Sequence, residues 1–324
     1  MNRRTLALLT ACVCASSGAV SAFAEGYPNR PIELLVGYSP AGAADLIARI
    51  LADDLGPRLG QPIIVQNKPG AGSTLASNLL ANAPADGYTL GLASGTLFGI
   101  DQYLYKVKYK GTDFTPINRL TISPLILAVN PKLPIKSAAE LAAYAKARPG
   151  ELNYSSSGIG GSPHMSGLIF EKATGVKVTH IPYKGGAPAL QAVAAGQVDF
   201  SFGTAASVLP LGTAGAVRML GVSTKQKSPV APELPTISDT GIPGYEFSFW
   251  YGLFGPGNLP KDVQEKLFEA VSESLDNPKV QAKLLAAGNE VSPMKSSGEF
   301  ERWAIDNGKF VVDRAEAAGV QGPN

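Results

Sequence analysis

Two stretches of the chain set small residues and hydroxyls between an apolar run and a helical one. They are Leu34-Leu35-Val36-Gly37-Tyr38-Ser39-Pro40-Ala41-Gly42-Ala43-Ala44-Asp45 and Leu152-Asn153-Tyr154-Ser155-Ser156-Ser157-Gly158-Ile159-Gly160-Gly161-Ser162-Pro163-His164. A strand that enters such a loop and then a helix leaves free backbone N–H groups at the positive end of the helix dipole, where an anion can sit. One turn of this kind serves any α/β protein; two, both rich in small polar residues, suit a small di- or polycarboxylate held at both ends. The contacts expected are Tyr38, Ser39, Ala41, Gly42, Ala43, Ala44 and Asp45 from the first loop and Ser156, Ser157, Gly158, Gly160 and His164 from the second. Ser94, Thr96, Gly203 and Thr204, at the ends of two further strands, complete the set. A third loop, Pro182-Tyr183-Lys184-Gly185-Gly186-Ala187-Pro188, carries a cation, and Lys184 faces either an anionic ligand or solvent.

Several of these side chains have a plainer reading beside the functional one. His164 falls in the first turn of its helix, where the dipole disfavours protonation, so a neutral imidazole either donates to a ligand oxygen or bonds to the backbone. His180, in an apolar strand, reads as structural. Asp45 and Arg49, four apart on one helix, read as a surface ion pair. Trp250 and Tyr251 either line a cleft or pack a hinge.

Patterns for catalysis are poor, and no enzymatic activity is expected. Ser156 and Ser157 do not sit in a Gly-x-Ser-x-Gly elbow, and there is no His-Glu-x-x-His or phosphate-loop lysine. An exported serine hydrolase using Ser156 or Ser157 with His164 is the rival reading, but it lacks an acid partner and an oxyanion site. The 2 histidines and the absence of a carboxylate cluster at ligand spacing leave no metal site, and no cofactor is expected.

Residues 1–24 read as an export signal: Arg3 and Arg4, an apolar stretch, then Ala22-Phe23-Ala24 as a cleavage site near Ala24. The route stays open, because Arg3-Arg4-Thr5-Leu6 also resembles a twin-arginine signal and Leu9-Thr10-Ala11-Cys12 superficially a lipoprotein box. Both cysteines, Cys12 and Cys14, lie in this leader, so the mature chain offers no thiol chemistry. Loss of Arg3 and Arg4 leaves 26 basic against 26 acidic residues, which is no footprint for nucleic acid.

Behind the loops, strands and helices alternate. Strands are expected at 32–36, 63–66 and 89–93, with helices at 44–59 and 74–82. A proline-flanked strand at 125–129 leads to a second set: helix to 147 with Ser137 and Glu140 as a capping box, strand 152–155, helix 163–173, strand 178–182, helix 187–195, strand 198–202. Another strand at 218–223 and an aromatic segment at 246–254 precede helices at 261–275, 278–287 and 297–318, the last with an apolar stripe through Phe300, Trp303, Phe310 and Val311. A chain that builds one α/β unit, crosses to another and ends in helices gives two lobes: 25–124 plus 246–324, and 125–245. Two crossing strands join them, and the strand ends face an intervening cleft.

Beyond the loops themselves, Tyr27-Pro28-Asn29-Arg30-Pro31-Ile32, Gln66-Asn67-Lys68-Pro69-Gly70-Ala71-Gly72, Asp86-Gly87-Tyr88-Thr89-Leu90, Gly196-Gln197-Val198-Asp199 and Trp250-Tyr251-Gly252-Leu253-Phe254 recur in order. With them the chain resembles the Bug family, the periplasmic substrate-binding proteins of tripartite tricarboxylate transporters, along nearly its whole mature length. The resemblance implies an α/β, two-lobed type II periplasmic binding protein fold, each lobe a mostly parallel sheet flanked by helices. It also implies a periplasmic monomer that captures a small organic acid and delivers it to membrane permease subunits; presentation of the ligand to a sensor kinase is the alternative. In that family the loops matched by 38–45 and 155–164 contact ligand carboxylates. Two departures stand out: Ala41 replaces the usual glycine, adding a methyl where backbone approaches ligand, and Gly203 replaces an aspartate. The second favours a purely acidic or aromatic acid ligand over one bearing an amine.

Overall fold

Leucine, isoleucine and valine concentrate in short runs bounded by glycine and proline, and most of these runs are strands. The computed structural model describes residues 26–40, 42–70, 73–105, 107–183, 185–317 and 319–320. The expected leader and the candidates Ala41 and Lys184 lie outside the described residues.

The first unit alternates Ile32–Val36 (β1), Ala43–Leu59 (α1), Ile63–Asn67 (β2), Thr74–Ala81 (α2) and Thr89–Ser94 (β3), and β1 pairs in parallel with both β2 and β3. A short 3₁₀ turn, Gly95–Phe98, and the helix Ile100–Leu104 (α3) follow. The chain then crosses in one long strand, Phe114–Val129 (β4). The second unit runs Ala138–Lys146 (α4), Asn153–Ser156 (β5), Ser162–Thr174 (α5), Thr179–Pro182 (β6), Gly186–Ala195 (α6), Phe200–Thr204 (β7), Ala205–Thr213 (α7) and Arg218–Val222 (β8). β5 is parallel to β6 and β7. Ser248–Pro256 (β9) returns, and Lys261–Asp276 (α8), Pro278–Ala286 (α9), Glu290–Val291 (β10) and Ser297–Ala317 (α10) complete the chain.

The sheet order is β2-β1-β3-β9-β4-β7-β5-β6, with β8 and β10 both on β4. Two parallel trios therefore flank an antiparallel central pair, β4 and β9, which is the crossing. Its register brings the trios' carboxyl ends together: Ser94 pairs with Tyr251, which pairs with Thr121, while Thr204 pairs with Leu125. The carboxyl ends of β3 and β7 thus face each other across a few residues of β4, where open α/β sheets bind ligands.

Apolar side chains on both faces of each trio form the cores. Leu34, Val36, Ile47, Leu51 and Leu267 are buried together in the first lobe, and Leu127, Tyr154, Phe170, Phe200 and Phe202 in the second. Ile100 and Leu104 of α3 and Ala315 of α10 join the second-lobe core, so first-lobe elements pack directly against the second lobe.

Three expectations change. β4 begins at Phe114, well before 125; Pro116 and Pro124 speak against a central strand, and the chain admits Pro116 beside a register shift. Ser137 Oγ accepts the Glu140 N–H, but the Glu140 carboxylate accepts from Lys136 N–H, so only half of the capping box forms. In α10 the buried stripe runs through Phe300, Ala304, Gly308 and Ala315, whereas Phe310 is exposed and carries the Arg314 guanidinium on its face.

Candidate functional site

Between the lobes lies a cleft of about 820 Å³. Three helices of the second lobe start on it. Their N-caps, Gly161 for α5, Gly185 for α6 and Thr204 for α7, make no side-chain capping bond, so first-turn N–H groups are left for a ligand or water. Gly161, Ser162, Gly186, Gly203, Thr204 and Ser207 all line the cleft. Thr204 and Ser207 hydroxyls lie 3.1 Å apart.

The loop between β5 and α5 turns on glycine. Gly158 and Gly160 adopt φ of 135° and 75°, which other residues enter at a cost. A β-carbon on Gly160 would lie 2.2 Å from Leu104 Cδ1, so the backbone of one lobe touches a side chain of the other. Ser157, Gly158 and Gly160 line the cleft. Ser156 does not: it is fully buried, and its Oγ accepts the Gly158 N–H (3.1 Å) and meets His180 Nε2 at 2.7 Å. His164 sits behind the same loop, where Nδ1 accepts the Gly160 N–H (3.0 Å) and the ring stacks on His180 with centroids 3.9 Å apart. Of its two open roles, the backbone bond is the one formed. Burial, then the neighbouring His180, pushes its pKa down to about 3, and burial pushes His180 down to about 4. Both imidazoles are neutral props of the loop at physiological pH.

On the first-lobe side, Tyr38 and Thr96 line the cleft, and buried Ser94 links them through hydrogen bonds of 3.0 Å to each hydroxyl. Ser39 is exposed, with its carbonyl accepting the Gly42 N–H; Ala43 is half-buried and Ala44 buried, and none of these four lines the cleft. Asp45 is not on the surface: it is buried, bonded to Arg49 and to Asn67 Nδ2, which also donates to the Tyr38 carbonyl. It braces the loop that presents Tyr38. Tyr251 lines the cleft edge-on to Tyr38 and Phe249, whereas Trp250 is buried at the crossing and donates to Asn307 Oδ1.

Sequence reasoning missed Asp101, Tyr105, Ile159, Phe249 and Ser207, all of which line the cleft. Asp101 and Tyr105 come from a stretch without helical periodicity, so nothing marked them. Asp101 is 1% exposed, and burial raises its pKa to about 6 against the pull of hydrogen bonds from Tyr109 and Thr96. Among the described lining residues it is the only ionisable carboxyl, and none of those residues is a lysine, arginine or histidine. Such a site offers backbone N–H groups, hydroxyls and aromatic walls: the means to hold an anion without a side-chain cation.

Residues 47–311 match the family described as Tripartite tricarboxylate transporter family receptor, TctC. The chain belongs to this family. Among solved structures, this receptor is similar to the R. palustris protein Rpa4515 with adipate, at 32% identity and a TM-score of 0.81, covering 92% of this chain and 100% of that one. It is similar to the periplasmic binding protein BugD, at 30% identity and a TM-score of 0.76 over 92% and 100% of the chains. It also resembles MatC from Rhodopseudomonas palustris with bound malate, at 31% identity and a TM-score of 0.75 over 89% and 99%. The receptor has the two-lobed periplasmic binding protein fold of these neighbours.

Proposed function

We propose that this receptor captures a small organic acid, a di- or tricarboxylate or an aromatic acid, in the interlobe cleft and delivers it to membrane permease subunits of a tripartite transporter. The observation that carries the reading is the convergence of three uncapped helix N-termini on one cleft. There, partial positive charge is fixed in place and a carboxylate needs no side-chain cation. Two similar proteins hold dicarboxylates, adipate and malate, which supports the ligand class.

In this reading Tyr38, Thr96, Ser157, Gly158, Gly160, Gly203 and Thr204 contact the ligand, while Asp45, Ser94, Ser156 and His164 hold the contacting groups in place. Ala41 keeps the contact role read from the sequence, and Lys184 faces either the ligand or solvent. The lobes are 25–124 plus 246–324 and 125–245, and they close as a monomer around the acid in the periplasm after removal of residues 1–24. The protein is a binder and not a hydrolase: Ser156, the serine that does meet an imidazole, is sealed from the cleft.

Thermal-shift measurement against succinate, glutarate, adipate, malate, citrate and phthalate tests it. Ligand at a hundred times Kd stabilises a one-site protein by about 2.7 kcal/mol, a rise of several degrees. A midpoint unmoved by every acid on the panel refutes the reading.

A further inference from the structure

The cleft proposed to take an anion carries a carboxyl of its own. Asp101 opens the first turn of α3 and lines the cleft from the first lobe, while the uncapped helix N-termini line it from the second. Tyr109 OH donates to its Oδ2 at 2.9 Å, and the Thr96 hydroxyl bonds to it as well. The groups that interact with it electrostatically are Tyr38, Tyr105 and Tyr109, phenols whose pKa burial raises. From α10, packed against α3, Gly308 and Val312 lie beside Gly99, with Lys309 and Asp313 exposed and Arg314 stacked on Phe310. The facing second-lobe loop, residues 157–163, carries no charge, and His164 and His180 behind it are neutral above pH 6. Among the described residues, therefore, no cation balances Asp101.

An acid drawn into this cleft places negative charge beside a second, desolvated negative charge. Such a pair relieves itself by binding a proton. Pairing with a ligand ammonium is the other resolution, but at 1% exposure, with both hydroxyl donors already on it, Asp101 has little surface for such a contact. We propose that Asp101 couples capture to proton uptake: as the acid enters, the carboxylate takes one proton from solvent, so the receptor binds more tightly as the medium acidifies. Asp101 acts here through its field, as the group that sets the charge the cleft accepts. The inference rests on the carboxylate-receptor reading given above.

Calorimetric titration tests it, using the acid of the thermal-shift panel that stabilises the protein most, in buffers of differing protonation enthalpy. Near pH 7 the wild type should take up about 0.5–1 proton per ligand, and its affinity should fall about three- to tenfold per pH unit between 6.5 and 8. D101N, which keeps the shape and removes the charge, should take up none and bind with a flat pH profile. Binding without proton uptake by the wild type overturns the inference and leaves the receptor reading standing; that measurement needs no variant. A D101N protein that keeps the pH slope also overturns it. So does tight binding of aspartate or 2-aminoadipate, without proton uptake, that D101N abolishes, since Asp101 would then pair with an ammonium. If no acid binds, the receptor reading fails and this inference fails with it.

Discussion

The imidazoles of His164 and His180 lie face to face beneath the cleft loop, and each spends a ring nitrogen on that loop: Nδ1 of His164 on Gly160, Nε2 of His180 on Ser156. Because burial lowers both pKa values, the unfolded chain binds protons near pH 6.5 while the folded protein does not until about pH 4 or below. Their contribution is complete above pH 6.5 and is lost as pH falls. Between pH 7 and pH 5 the loss should be about 2 kcal/mol, with half-buried His180 discounted for solvent screening. Asp101, with its raised pKa, works in the opposite direction over the same interval, so the imidazole effect is best read as a difference. H180Q, which retains a donor for Ser156, should show a shallower fall in unfolding midpoint from pH 7 to pH 5 than the wild type; equal slopes would mean that the stack does not govern acid sensitivity. Position alone gave His164 its neutral state. Its partner was not readable, because the stack depends on strand register that no local pattern encodes.

Ser157 and Thr204 line the cleft, one from the β5–α5 loop and the other from the end of β7. A hydrogen bond from a hydroxyl to a charged group contributes about 1.5 kcal/mol or more, so S157A and T204A should each weaken acid binding about tenfold or more, with the unfolding midpoint nearly unchanged. Titration with the best acid of the panel checks this. Unaltered affinity in both variants would move the ligand away from the helix N-termini.

Among the elements, the contact between the β5–α5 loop and α3 decides how the lobes meet. Gly160 has room for hydrogen only, since Leu104 occupies the place of a β-carbon. G160A should therefore cost about 1–3 kcal/mol of stability through the left-handed backbone and the clash, and should weaken ligand binding as well. Adding L104A removes the clash but not the backbone strain, so the double variant should regain part of the affinity lost by G160A. A double variant no tighter than G160A would show that the contact does not limit closure.

The parallel trios were legible because each strand is a short apolar run between glycine or proline turns and each helix has its period. The elements that escaped are those where composition and role disagree. The part of β4 before Leu125 contains Pro116 and Pro124, and α7 carries Pro210 inside its nine residues. α3 is a single five-residue turn of helix whose place depends on packing against the other lobe. The loops at 38–45 and 155–164 were found by their small polar residues, yet only the second supplies a continuous stretch of cleft wall. The first contributes Tyr38 and spends Asp45 on its own support.

At the scale of the molecule, two pseudo-equivalent trios hang on β4 and β9, and their carboxyl ends meet at a cleft whose fixed charges are unequal. The second lobe brings three open helix N-termini; the first brings a buried carboxyl, aromatic rings and hydroxyls. An anion should anchor on the second lobe first and be covered by the first, with the central strands bending between. Selectivity for one acid then rests on the shape of the wall formed by Tyr105, Ile159, Phe249 and Tyr251.

Recognition of the carboxylate should rest on charge at the helix N-termini. Its most direct test is calorimetric titration of the mature protein with the best acid of the panel and, in parallel, with the neutral amide of the same skeleton. Saturable one-to-one binding of the acid is expected, with Kd at or below about 10 µM, and an amide at least a hundredfold weaker. Equal affinity for acid and amide, or no binding by any acid, would contradict it.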